Sequence, residues 1–299
     1  MNINSCSNSN LNLKEIEKCR MLIANEGVNA NTISKFQKII LDYYKKFGRD
    51  LGWRHTTNPY NILVSEIMLQ QTQVERVIKK YPKFISEFPS FSCLAEAPLL
   101  KVLTVWQGMG YNRRIIALQK CAQQVIKEFD GHLPSNIEIL ETFPGIGHST
   151  ACSIATFAFN LPVVFIETNI RRVFIYFFFG DRTSVSDHEI LPLVDQTLDK
   201  KNPRIWYWAL MDFGSVLKKE IVNPNRRSAH YTRQSQFENS NRELRGRVLR
   251  IIVQKTKLKE TDIISQIPRE RERIKKIISE LVKEGFLIRD HSTLKIRET

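Results

Sequence analysis

The sequence predicts an all-α protein that ends in a small module of helices and a hairpin. Three observations carry that expectation. From Ile33 to Leu217, apolar residues recur at helical spacing in segments of about ten to sixteen residues, punctuated by Pro, Gly and Asn, with few strand signals. Residues 218–241, KKEIVNPNRRSAHYTRQSQFENSN, then lose the apolar period and gain Asn, Arg, Ser and Gln. From Arg242 onward, helical periodicity returns three times and gives way to two short apolar runs.

Taken in order, residues 1–30 read as a polar tail with a short helix. The opening MNINSCSNSN has neither a basic n-region nor an apolar h-region, so it is expected to be a flexible tail and not a signal peptide. A first domain over residues 31–217 follows. Its expected helices are Ile33 to Phe47, Pro59 to Thr72, Gln73 to Phe88, Leu99 to Gln107, Arg113 to Phe129, Asn136 to Thr142, His148 to Phe159, Glu167 to Phe178, Asp187 to Leu198 and Pro203 to Leu217. Residues 218–241 form a basic linker. In residues 242–299 the helices Leu244 to Val253, Glu260 to Ile267 and Arg269 to Glu284 precede strands Phe286 to Arg289 and Thr293 to Ile296, a winged-helix pattern. Its third helix carries Arg269, Arg271, Arg273, Lys275 and Lys276 and is expected to be the DNA-facing one, with Arg273 and Lys276 among its contacts. Such modules also serve as protein-interaction domains.

The charge is unevenly placed. Of a formal net charge of +14, residues 200–299 supply 12, with 24 Lys and Arg against 12 Asp and Glu. That asymmetry points to a polyanion partner, because each cation that neutralises a phosphate releases a counterion. No apolar run approaches the roughly 20 residues that span a bilayer, so no membrane role is expected and a cytoplasmic, nucleoid-associated address follows. The five cysteines are scattered without paired ligand spacing and read as reduced thiols, with no metal site.

Chemistry concentrates in two stretches. In 143-FPGIGHSTACSIATFAF-159, Pro and two glycines separate two helices, the signature of a helix-hairpin-helix. Backbone amides of Gly145 and Gly147, with His148 at the next helix start, can hold a phosphate there. In 163-VVFIETNIRRVF-174 a single acid, Glu167, closes an apolar run, where burial is costly unless the acid is paired or used. The plain alternative is a helix N-terminal acid favoured by the macrodipole and paired with Arg171.

These two stretches resemble the helix-hairpin-helix, loop and catalytic acid of the endonuclease III and MutY class of DNA glycosylases. Upstream, 53-WRHTTNPYNILVSEIMLQQTQVERV-77 and 107-QGMGYNRRIIALQKCA-122, and downstream 208-WALMDFG-214, are similar to MutY-type adenine glycosylases in particular. The resemblance covers about residues 35–217 and implies a two-lobed helix-hairpin-helix glycosylase fold that acts on a base flipped out of a DNA duplex. It also implies roles. Where bifunctional relatives carry a nucleophilic Lys, this chain has Ser149, which cannot form a Schiff base, so hydrolysis without strand cleavage is expected. Glu66 matches the general acid that protonates the departing base, and its apolar helix should raise its pKa. Glu167 matches the carboxylate that stabilises the cationic sugar, although the family residue is Asp and Glu is one methylene longer. Asn169 matches the residue that orients this acid. Gln70 and Gln71 match residues that fill the gap left by the flipped base, and Tyr111, Asn112, Arg113 and Arg114 resemble a DNA-facing loop. Arg171, Arg226 and Arg227, with His230 and Tyr231, are further candidates for phosphate contacts.

The pattern breaks in two places. Most members carry four cysteines after the MDxG segment that bind an iron–sulfur cluster, whereas this chain has none after Cys152, so no cofactor is expected. Members of the MutY group also end in a domain that senses 8-oxoguanine, and here a winged helix stands instead. The expected function is therefore a monofunctional, monomeric glycosylase acting on mismatched or damaged double-stranded DNA, with adenine opposite guanine or 8-oxoguanine as the target. The alternatives are a thymine or uracil mismatch glycosylase and a catalytically inactive DNA-binding protein on the same scaffold.

Overall fold

The computed structural model describes residues 11–233, 236–267 and 271–297. The expected tail over residues 1–10, and Arg269, lie outside the described residues. In chain order the helices are α1 (Leu13–Glu26), α2 (Ala30–Phe47), α3 (Pro59–Leu69), α4 (Val74–Glu87), α5 (Phe91–Glu96), α6 (Leu99–Trp106), α7 (Arg113–Glu128) and α8 (Ile137–Glu141). They continue with α9 (His148–Phe159), α10 (Thr168–Phe178), α11 (Asp187–Thr197), α12 (Pro203–Glu220), α13 (Asn241–Lys255), α14 (Glu260–Gln266) and α15 (Arg271–Lys283). Strands β1 (Lys257–Lys259), β2 (Leu287–Asp290) and β3 (Thr293–Ile296) form one antiparallel sheet in the order β1-β3-β2. Asparagine starts many of these helices: Asn12, Asn29, Asn58 and Asn136 each accept from a first-turn amide, satisfying donors that would otherwise be orphaned.

The chain divides into two compact units. One comprises residues up to Thr57 together with His148–Arg233, and the other Asn58–Gly147 together with Gln234–Thr299. The first unit is built around Phe36 of α2, fully buried, with Phe174, Phe177, Phe178 and Trp206 edge-on to it at centroid distances of 5.0–5.8 Å. Edge-to-face packing is the favoured arrangement for such rings. α1 belongs to this core, burying Ile16, Cys19 and Ile23, and its Arg20 donates to the Tyr176 carbonyl at 2.8 Å. The segment 208-WALMDFG-214 is a packing device. Asp212, 2 % exposed, accepts from the Arg49 amide and from the guanidinium groups of Arg49 and Arg54 at 2.7–2.9 Å. Gly214 lets α12 touch the start of α10, since a Cβ there would lie 2.3 Å from the Asn169 carbonyl oxygen.

In the second unit α3 is nearly all core: Tyr60, Ile62, Leu63, Val64, Ile67 and Met68 are buried. The helix ends at Leu69, short of the expected Thr72, because Gln71 turns into the left-handed region at φ +52°. The C-terminal part is a winged-helix arrangement of α13, α14 and α15 with the sheet. Leu249, Ile263, Ile278 and Leu294 are among its buried residues. Strand β1, whose Leu258 pairs with Leu294, is three residues long and has no readable alternation. The module packs within the unit on the α6–α7 segment, where Arg113 reaches Glu284 at 2.6 Å and Arg242 hydrogen-bonds the Tyr111 hydroxyl.

Candidate active site

Glu167 is not the first residue of α10 but its N-cap, with extended backbone (φ −123°, ψ 176°). Its Oε1 accepts from the amides of Asn169 at 2.6 Å and Ile170 at 2.9 Å, and its Oε2 accepts from Asn169 Nδ2 at 3.2 Å. A glutamate is a poor N-cap by size, so the extra methylene is used to fold the carboxylate back onto its own helix N-terminus. Burial pushes the Glu167 carboxyl above the usual carboxylate range, against the opposing pull of the two amides and of Arg172 and Arg171.

Asn169 is itself held. Its Oδ1 accepts from Arg172 Nη1 at 2.7 Å, and the same guanidinium, 3 % exposed, donates to the Gly214 carbonyl at 2.6 Å and to Asn223 Oδ1 at 3.0 Å. Asn225 Nδ2 donates to the Thr168 carbonyl at 2.9 Å, fixing the loop after α12 against the first turn of α10. Residues 223–225, expected in a linker, therefore buttress the acid. The expected Glu167–Arg171 pairing is replaced by another: Arg171 forms a two-point ion pair with Asp187 at 2.6 Å. Arg172 has no expected role in the sequence pattern. The adjacent arginines of TNIRRVF offered a signal, since at helical spacing only one of the two can face the core.

Ser149, exposed on the first turn of α9, donates to the Ile166 carbonyl at 3.2 Å, next to Glu167 in the chain. His148 is exposed beside it, its ring 3.6 Å from Cys152 Sγ. Arg226 is exposed, whereas Arg227 is half-buried, with burial lowering its pKa.

In the second unit Glu66 sits half-buried on α3 between the buried Ser65 and Ile67, with Ile62 and Leu63 also buried and Leu69 half-buried. Arg114 closes that helix. Its Nη1 donates to the carbonyls of Ile67, Met68 and Gln70 at 2.6–3.0 Å, and its Nη2 reaches Thr72 Oγ1 and the carbonyls of Met109 and Gly110 at 3.0–3.3 Å. Burial holds its pKa down to about 10. Expected as a phosphate contact, Arg114 instead spends its donors as a cation at a helix C-terminus, a favourable place for one. Gln70 Nε2 donates to the Gly145 carbonyl at 3.1 Å. Gly145 has φ +77°, and a Cβ there would come within 2.9 Å of Ala117 Cβ; Gly147 has open space around it. On α15, Arg273 is tied to Asn241 Oδ1 and the Asn239 carbonyl, both at 2.7 Å, while Lys276 is exposed.

The iron–sulfur cluster that the resemblance implies does not fit this chain. No cysteine follows Cys152, and the place after α12 is filled by the Asn223–Asn225 buttress.

Residues 64–192 match the family of HhH-GPD superfamily base excision DNA repair proteins. The chain is similar to curated adenine DNA glycosylases. That of Buchnera aphidicola subsp. Baizongia pistaciae is 37 % identical over 187 residues, covering 61 % of this chain and 52 % of the relative. That of Mycobacterium tuberculosis is 41 % identical over 135 residues, covering 45 % and 44 %. The chain thus spans about half the length of these relatives. Among solved structures, a thermostable thymine-DNA glycosylase aligns with a TM-score of 0.54 at 25 % identity, covering 67 % of this chain and 87 % of that one. An endonuclease III trapped as a covalent intermediate with DNA aligns with a TM-score of 0.53 at 18 % identity, over 62 % and 86 %, and bears on the fold alone.

Proposed function

We propose that this protein is a monofunctional base-excision glycosylase that hydrolyses the N-glycosidic bond of a flipped adenine opposite guanine or 8-oxoguanine in double-stranded DNA, without a metal or cluster. The observation that carries this reading is the Glu167–Asn169–Arg172 chain. Three of the roughly four lone-pair positions of the Glu167 carboxylate are occupied by fixed donors. The remaining one, on Oε2, is the position this reading gives to the positive charge of an oxocarbenium-like sugar. The family Asp is replaced by Glu, and the added methylene is absorbed by the capping geometry, which supports a working acid and not a relic.

In this reading Glu66 gives its proton to the adenine ring, so that the base leaves neutral as the glycosidic electrons move to it. Water then adds to the cationic sugar and gives its proton to solvent, from which Glu66 regains one, and Glu167 stabilises the cation between these steps. Ser149 supplies no amine, so the product is an intact strand with an abasic site. Gln70, Gln71, Tyr111, Gly145, Gly147 and His148 contact the duplex, with Arg226 on its backbone. The similarity to curated adenine glycosylases supports adenine as the base, and the likeness to a thymine-DNA glycosylase at 25 % identity makes a thymine mismatch the second reading.

Single-turnover base release from duplexes carrying A opposite 8-oxoguanine, A·G, T·G and U·G, read by alkali cleavage, tests the proposal. Adenine release with no scission before alkali is expected. Release of thymine or uracil alone would select the second reading. No release from any duplex, with salt-sensitive binding retained, would leave a DNA-binding scaffold.

A further inference from the structure

On the winged-helix module, α15 is the helix that sequence assigns to DNA, but the concentration of basic side chains lies elsewhere in the same unit. A groove of about 1330 Å³ runs between residues 71–73, residues 108–114 at the start of α7 and one face of α13. It exceeds the roughly 300–1,000 Å³ of small-ligand pockets and suits a polymer segment. Seven arginines and two glutamates line it. Four of the arginines are committed: Arg114 to backbone carbonyls, Arg113 to Glu284, Arg245 to Glu280 and Glu284, and Arg242 to the Tyr111 hydroxyl. The other three are not so engaged among the described residues. Arg76 and Arg250 are exposed, and Arg247 reaches Glu243 only at 3.8 Å.

Two further observations point to a nucleic-acid strand. Gly246, in the interior of α13, lines the groove, yet a Cβ there would meet nothing within 4 Å, so packing does not require glycine. A helix-interior glycine disfavours the helix relative to alanine, and a bare backbone facing a groove is what close approach by a ligand calls for. The 58 % exposed Phe237 supplies aromatic surface for stacking on bases, beside Tyr111, whose ring carries the guanidinium groups of Arg114 at 5.4 Å and Arg242 at 5.2 Å. On α15, by contrast, Arg273 is spent on Asn239 and Asn241, and Lys275 pairs with Glu272 at 2.8 Å.

We propose that the C-terminal module engages one strand of the DNA through α13, in this groove, with Arg76, Arg247 and Arg250 on its phosphates and Gly246 at the point of closest approach. α15 is not the DNA-facing helix. The proposal rests on the glycosylase reading only in taking DNA as the polyanion.

The test is fluorescence anisotropy of the full chain on a labelled A·G duplex across a KCl series. Each lost phosphate contact should lower the slope of log K against log salt by about 0.7–0.9. R247Q/R250Q is therefore expected to shallow the slope by about 1.4–1.8 and weaken binding at least about tenfold at ~0.1 M salt, whereas R271Q/K276Q keeps the wild-type slope. Gly246→Leu fills the groove from a site with open space and is expected to weaken binding at least about tenfold without lowering Tm, since Leu is the better helix former. A slope that falls in the α15 pair and not in the α13 pair, or wild-type affinity in Gly246→Leu, overturns the proposal. The two readings separate cleanly. Base release by the wild-type protein with a neutral α13 pair sinks the groove alone, and no release with a shallowed α13 slope sinks the glycosylase reading alone.

Discussion

Arg172→Met removes one buried guanidinium and three hydrogen bonds while roughly conserving volume. It takes a donor at 2.6–3.0 Å from Asn169 Oδ1, from the Gly214 carbonyl inside α12 and from Asn223 Oδ1, which keeps the Asn225 amide at 3.2 Å, so Asn169 Oδ1 is the acceptor most exposed to the loss. A buried polar group left unsatisfied costs about 1–3 kcal/mol. The charge no longer has to be desolvated, an offset seen in the lowered Arg172 pKa that burial causes, so a net loss of about 1–3 kcal/mol follows. In a protein of this size that is a fall in Tm of roughly 5 °C. The catalytic consequence is separate. Asn169 loses its anchor, and with it the amide that holds Glu167 Oε2 at 3.2 Å. A carboxylate displaced by about 1 Å costs on the order of a hundredfold in rate. Arg172 is thus a positioning residue. Single-turnover release at a temperature where both proteins are folded, alongside duplex anisotropy, should show that rate loss with affinity within about threefold of wild type, and Arg172→Lys should recover part of it. A lowered Tm with an unchanged rate would refute the coupling between this guanidinium and the acid.

Other expectations are as direct. Glu66→Gln and Glu167→Gln should each abolish base release while duplex binding by anisotropy is kept; normal release in both would reject the site. Because burial raises the Glu167 pKa and its working form is ionised, release should fail as pH drops through a value above that of an ordinary glutamate, and single-turnover rates from pH 4 to 8 would expose the limb. The same shift means that the folded state holds this proton more tightly than the unfolded chain. The stabilisation so gained is full below the unfolded pKa and fades as pH rises through the folded one. Asp212 has the opposite sign: burial raises its pKa, but Arg54 and Arg49 outweigh it and hold the carboxyl low. Its contribution is present above the unfolded pKa and lost as pH falls through the folded one, so Asp212→Asn should lower Tm at pH 7, by about 3–5 kcal/mol in stability, and less at pH 3. Borohydride treatment during turnover should trap no covalent complex, because Ser149 offers no amine.

Much of the helical order was legible because the amphipathic period and its punctuation are local. α9, running from the second hairpin glycine to the turn before Pro162, came out with the expected ends. What was not legible depends on groups distant in the chain. Glu167 reads as a helix residue because glutamate seldom caps, and only the amides of Asn169 and Ile170 reveal its placement. The partners of Asp212 lie 158 and 163 residues away. Arg114 and Arg113 look alike in sequence, yet one is folded under α3 and the other stands exposed against Glu284, a difference set by the C-terminal module and the α3 turn. Strand β1 was missed because three residues are too few to show a period.

Gly214 and Gly246 both sit inside long helices, and a stability engineer working from propensity alone would replace either with alanine. Their latitude is opposite. At Gly214 a single methyl group would collide with the carbonyl of Asn169 at 2.3 Å and be transmitted, through one residue's backbone, to the groups that hold Glu167. The interior of the first unit and the aim of its acid are therefore a single mechanical variable. Attempts to harden this protein by tightening that helix contact should trade away rate, whereas thermal gains are available at helix surfaces remote from it.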